Sequence, residues 1–245
     1  MIKDFRFKKN QTLAGYILNE IGEYTNDLMS NEFRDVFKET PINIYMSNSL
    51  ADFKFKELSV KGRLNKKHLL KAVDEITQRN DGVSMMAVHA MDNVDGKAQL
   101  IYAWIRLMSE NIYYEILVNL ENIDLTIEYL KMSMRHEIGH IIDYLKMDGI
   151  SFEEYDRITQ TDSEEMEKFY DKWGYNTHNL TIEQSHQRTH DYYACPSEAR
   201  ANKNVNFDLD RYIDIMDALS YDKKDFQIDM TIKSKVKTFD EKEEE

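Results

Sequence analysis

The sequence predicts an α+β fold whose strands all fall in the first half of the chain and whose second half is helical. Three observations carry this reading. Period-two apolar alternation, with a hairpin signal, lies between residues 42 and 120. Period-3.6 patterning takes over from residue 124 and continues to about residue 217. Two prolines and eight glycines in 245 residues leave little material for a long flexible linker between the halves. The expected organisation is a single domain over residues 1–245, with an α+β lobe over 1–148, a helical lobe over 149–235 and an acidic tail over 236–245.

Thr12 to Lys38 reads as one long amphipathic helix, because Leu13, Ile17, Ile21, Tyr24 and Leu28 recur at spacings of three and four. Pro41 ends it, and Ile42 to Met46 alternates as a strand. Phe53 to Val60 is a weaker strand, and Asn65 to Gln78 a second helix with Leu69, Leu70, Val73 and Ile76 on its apolar side. Ser84 to Met91 and Gln99 to Met108 flank Asn93-Val94-Asp95-Gly96, whose Asp-Gly pair is a hairpin turn signal. Ile112 to Leu120, rich in aromatic and β-branched residues, is the best strand in the chain.

A helix then begins near Asp124, a plausible cap, and runs to about Lys146 with Gly149 as its stop. Ile127, Leu130, Met134, Ile138, Ile141 and Leu145 form its apolar stripe. Ser151 to Trp173 reads as helical, with Ser151 and Glu154 spaced as a capping box. Leu180 to His190 is a further helical candidate. Pro196 suits the first turn of a last helix extending toward Asp217. The charged run Asp240 to Glu245 is expected to fray.

Composition excludes several classes. A net charge of −13 opposes a nucleic-acid partner, which would want a basic face. The single cysteine, Cys195, rules out a disulfide scaffold within one chain. Met1 to Gln11 carries Lys3, Asp4, Arg6, Lys8 and Lys9 and has no apolar core of a signal peptide. No window approaches the roughly 18–20 apolar residues of a membrane span. The expectation is therefore a cytoplasmic protein with no nucleic-acid or membrane partner. A secreted mature form or a virion component is the alternative location.

The chemistry concentrates in His136-Glu137-Ile138-Gly139-His140. On a helix, positions i and i+4 lie on one face a turn apart, so both imidazoles can reach one ion at about 2.0–2.1 Å. Glu137 sits beside the first ligand, placed to take a proton from a water at the ion without ligating it. In this composition the pattern is expected by chance only about 0.02 times, so two unrelated surface histidines are the weaker reading. A third ligand at the position six after the second histidine is excluded, because that residue is Lys146 and Asp143 occupies the preceding glycine position. The remaining downstream donors are His178, His186, His190 and Glu198.

Glu198 lies in Cys195-Pro196-Ser197-Glu198-Ala199-Arg200-Ala201-Asn202. Small Ala199 and Ala201 would let this helix approach the HEIGH helix closely. Asn202, one turn after Glu198, could accept the free N–H of a ligand histidine. His186 and His190 are read as solvent or packing histidines, and His68 and His89 as structural. Met132, Met134 and Met147 are read as packing, and Cys195 as a small buried residue. Asp143 either bonds near the metal-binding residues or is a plain surface carboxylate or a helix contact.

HEIGH followed by ExxAN resembles the gluzincin type of zinc metallopeptidase. HEIGHIID, with Asp143 three residues after the second histidine, also resembles the lethal-factor-like and Pro-Pro-endopeptidase branch. The E-x-x-A-N pattern is similar to that of the ImmA/IrrE-type regulatory peptidases. The likeness covers about residues 112 to 202. It implies a zincin-like fold, one Zn²⁺ held by His136, His140 and Glu198, and a peptide or protein substrate hydrolysed with Glu137 as general base. It implies a Tyr or His that stabilises the oxyanion. The lethal-factor-like pattern puts a Tyr where this chain has Asp191, so Tyr192 and Tyr193 are the candidates, with His190 close by. It also implies that Ile112 to Asn119 is an edge strand holding the substrate backbone, an ordinary internal strand being the other reading. The alternatives to a peptidase of broad action are a non-catalytic structural or interaction protein that keeps the fold, such as a phage or assembly component, and a regulatory peptidase that cleaves one partner.

Overall fold

A computed structural model describes residues 13–38, 43–46, 85–107, 122–174 and 180–219. The predicted strands over 53–60 and 112–120, the helix over 65–78, the acidic tail, His68 and His178 lie outside these residues.

The first helix is shorter than its apolar repeat suggests. Helix α1 (Leu13–Asp27) buries Ile17 and Ile21. The backbone then widens into a π-helical turn, Leu28–Glu32, before a short helix α2 (Arg34–Phe37). The physical reason is visible in Leu28 and Met29, which are both buried. Adjacent residues lie about 100° apart on an α-helix, and the wider turn lets both face the core.

Three strands form one sheet in the order β1-β3-β2: β1 (Asn43–Met46), β2 (Met85–Val94) and β3 (Lys97–Leu107). β1 runs parallel to β3 and β2 antiparallel to it. The hairpin turn is tighter than the four residues predicted. Only Asp95 and Gly96 lie between the strands, both at positive φ (51° and 77°), as a type I′ turn requires. β3 is enclosed on both faces, with Leu100 to Ile105 all buried.

The long helix α3 (Ile123–Met147) lies over this sheet and buries Ile127, Leu130, Met134, Ile138 and Ile141 of the predicted stripe, together with Met147, while Leu145 is only half-buried. It joins Ile17, Ile21, Leu100 and Ile105 in one core. Its N-cap is Asn122 rather than Asp124, which sits in the first turn. Beyond its end the chain is stitched to β3. The Gly149 N–H donates to the Ala98 carbonyl at 2.7 Å, the Ala98 N–H to Ile150 O at 2.9 Å, and the Leu100 N–H to the Asp148 carboxylate at 2.8 Å.

Four helices follow: α4 (Phe152–Trp173), α5 (Ile182–Ala194), α6 (Pro196–Asn204) and α7 (Leu209–Ala218). Ser151 caps α4 by accepting the Glu154 N–H at 3.1 Å. A complete capping box, Thr181 with Gln184, starts α5. The single helix expected from Pro196 to Asp217 is two, because Asn206 turns at φ 48° and Asp208 then caps α7 by accepting the Arg211 N–H at 3.0 Å. Among the described residues no helix is long and apolar enough to cross a membrane.

Candidate metal centre

The centre is made where α3 meets α6, and the approach of those helices sets it. Gly139 lies against Ala201. A Cβ at position 139 would stand 2.2 Å from the Ala201 carbonyl oxygen, so only glycine permits this contact. Ala201 is fully buried in the seam, whereas Ala199 is exposed and takes no part in it. The Asn204 side-chain amide closes the seam by donating to Gly139 O at 3.1 Å.

That proximity brings Glu198 to the two histidines. All three side chains are buried. His136 Nε2 and His140 Nε2 lie 3.1 Å apart, and the Glu198 Oε2 atom is 3.0 Å from the first and 3.3 Å from the second. Ligands at about 2.0–2.1 Å on a tetrahedral ion stand about 3.3 Å from one another. The donor set, two imidazoles and a carboxylate, thus fits a zinc-type ion in kind and spacing. Among the described residues this is the one group of three or more such donors close enough to hold an ion. The Asn202 amide oxygen is 2.7 Å from His136 Nδ1, where it accepts that N–H and turns the Nε2 lone pair toward the cluster.

The charges are poised by the same burial. Burial alone would lower the His140 pKa, but the Glu198, Glu137 and Asp143 carboxylates raise it to about 9. Burial would raise Glu198, yet the two histidines hold it well below the ordinary carboxylate range. Glu137 is pushed up from its ordinary value by enclosure, against the pull of His136 and His140. Its Oε2 accepts the Ala87 N–H of β2 at 2.6 Å, so the carboxylate is fixed between α3 and the strand.

The two candidate tyrosines separate clearly. Tyr193 packs at right angles against His136, with ring centroids 5.1 Å apart, and against Tyr212 at 5.8 Å. Tyr192 lies near enough to the cluster for the Glu198 and Glu137 carboxylates to act on its phenol. Enclosure raises both phenols well above their ordinary value. Asp191 is committed elsewhere, to Lys172 at 2.6 Å, Trp173 at 2.8 Å and Gln187 at 2.8 Å, which lower its pKa to about 2. His186 pairs with Asp217 at 2.7 Å, and His190 is exposed, so neither joins the cluster. Cys195 is buried and donates its thiol to Asp191 O at 3.5 Å.

Asp143 is no surface carboxylate: it is buried and accepts the Arg200 Nε–H at 2.9 Å. Three features escape the sequence reading. Arg200 is one and the Ala87 amide another. The third is a column of rings in which His89 stacks on Tyr144 at 3.7 Å while Tyr144 lies nearly parallel to His140 at 6.2 Å. Burial, then the neighbouring His140, lowers His89 to about 4, so it is a neutral ring at ordinary pH. A trace of each was available: Arg200 stands inside the Glu198–Asn202 turn, and His89 shares the strand face of Ala87. No family model matches the chain, and no curated protein or solved structure does.

Proposed function

We propose that this chain is a zinc-dependent metallopeptidase with a zincin-like arrangement, in which His136, His140 and Glu198 hold one ion and Glu137 is the general base. The observation that carries the reading is the position of Glu137. Its neighbours on α3 supply two ion donors, while it turns away from the donor set to the Ala87 amide, 2.6 Å away. A purely structural ion site needs no such carboxylate. When bound, the ion would lower the pKa of a water and polarise a substrate carbonyl.

The chain's own residues divide the remaining work. Glu137 takes a proton from the attacking water and returns it to the leaving amine. The Ala87 N–H holds one of its oxygens, which leaves the other for that transfer. Tyr192, beside the cluster, donates to the developing oxyanion. Tyr193 instead backs His136 and keeps its ring in place. Among the described residues, the strand edge that borders Glu137 is that of β2, and an extended peptide would add there. The expected substrate is therefore a peptide or an extended segment of a protein.

The test is metal analysis of the whole chain together with hydrolysis of a mixed peptide library, for wild type and Glu137→Gln. One zinc per chain in both proteins, with turnover in the variant lower by about 10²–10⁴-fold, supports the reading. Wild-type turnover in Glu137→Gln refutes the assignment of the base. Zinc bound but no peptide cut would leave an interaction protein that retains the centre.

A further inference from the structure

The third donor sits on a helix of only nine residues, Pro196–Asn204, and something must stop that helix from rolling. Glu198 and Asn202 hold it from one side, through His136. Arg200 is two residues from each, so it leaves α6 about 200° around from Glu198, on nearly the opposite side. Its long side chain spans two helices. Nε donates to Asp143 on α3 at 2.9 Å, one turn beyond His140. The two terminal nitrogens donate to Asp162 on α4 at 2.9 and 2.6 Å, a parallel two-bond fork. Asp143 and Asp162 are both largely shielded, with side-chain exposures of 8% and 17%.

We propose that Arg200 is a positioning residue of the metal centre: by bridging Asp143 on α3 and Asp162 on α4 it fixes the rotation of α6, and with it the approach of the Glu198 carboxylate to the two imidazoles. The proposal rests on the three-donor centre described above. A guanidinium suits the task better than an ammonium because its planar fork binds in one orientation, whereas a point charge leaves the helix free to turn. Small rotations matter here, since the donor atoms stand only 3.0 and 3.3 Å from their histidine partners.

The experiment uses the full chain as wild type, Arg200→Met and Arg200→Lys. Each is titrated with zinc against a chromophoric chelator and loaded with cobalt(II) for its visible spectrum, and each metal-free protein is melted. The expected result is one ion per wild-type chain. Arg200→Met should bind zinc about 10–100-fold more weakly, with a changed cobalt spectrum. Arg200→Lys should recover part of the affinity. Wild-type affinity and spectrum in a folded Arg200→Met overturn the proposal, whatever its melting temperature, because the bridge would then be structural only. If Arg200→Met does not fold, Asp162→Asn decides by the same two readouts, since it loosens the α4 end and leaves Asp143 paired. A wild type that takes up neither metal overturns the centre itself, a failure distinct from that of the bridge.

Discussion

Two adjacent tyrosines with the same local sequence context carry different burdens, and their partners decide which. Tyr192 lies within reach of the Glu198 and Glu137 charges, while Tyr193 packs at right angles against His136 and Tyr212. Tyr192→Phe is expected to lower kcat by about 10²–10³-fold, the usual loss of one oxyanion donor, with the melting temperature of the folded protein little changed. Tyr193→Phe keeps the ring against His136 and should leave kcat within a few fold. Paired kinetics distinguish them, and a larger kcat loss in Tyr193→Phe would reverse the assignment. At this scale the sequence shows His136, Glu137, His140, Glu198 and Asn202, because each pair is set one helical turn apart or beside a ligand. It does not show Ala87 or Arg200. No spacing pattern ties them to their partners Glu137 and Asp143, 50 and 57 residues away, so only the packed fold defines them.

Among the elements, the seam between α3 and α6 is tight enough that Gly139 has no room for a side chain. Gly139→Ala would drive a methyl into the Ala201 carbonyl, a backbone atom that cannot step aside as a side chain end could. The helices would have to separate, at a cost of about 1–3 kcal/mol or more. Zinc affinity should fall along with stability, because Glu198 moves with α6. Chelator competition and melting of the variant measure both, and unchanged affinity would mean that the seam does not set the centre. The stripe of α3 was readable since its period is regular over 25 residues. The break after α1 and the split between α6 and α7 were not. The first is a widened turn without Pro or Gly, and the second hangs on Asn206 at φ 48°, a conformation that no neighbouring residue announces. The π turn has a use in the assembled fold. It ends at Glu32, which pairs with Arg135 next to the first ligand, and Arg135 in turn donates to Val205 O at 2.7 Å just past α6.

For the whole molecule, the centre links stability to pH and to metal. The metal-free His140 pKa of about 9 exceeds the unfolded value of 6.5, so its pairing with Glu198 stabilises the fold fully below pH 6.5 and is lost as pH rises toward 9. Glu198 is depressed, so its contribution is present above its ordinary value of 4.5 and fades as pH falls below that. Buried neutral His89, lowered to about 4, withdraws its share as pH falls below 6.5, so the chelator-treated chain should melt highest near pH 6.5. Zinc needs the neutral imidazole, so its stabilising effect should grow from pH 6.5 to 9, where the proton it displaces is held less firmly. Melting curves with and without zinc across that range would expose a flat difference if the histidines do not serve the ion. The α+β division of the chain was legible from its two periodicities; the way Gly149 and Asp148 lace α3 back to β3 was not. The Ala87 amide has one more consequence. Backbone groups on a strand edge alternate in direction, so Met85 and His89 face the same side as Ala87, each about 6.7 Å from it along β2. A peptide zipping onto that edge would find the middle rung already taken by Glu137 and would have to straddle it. Acting as the proposed peptidase, the chain would then choose its scissile bond by reading frame, counting from a filled rung, with side-chain pockets only refining the choice.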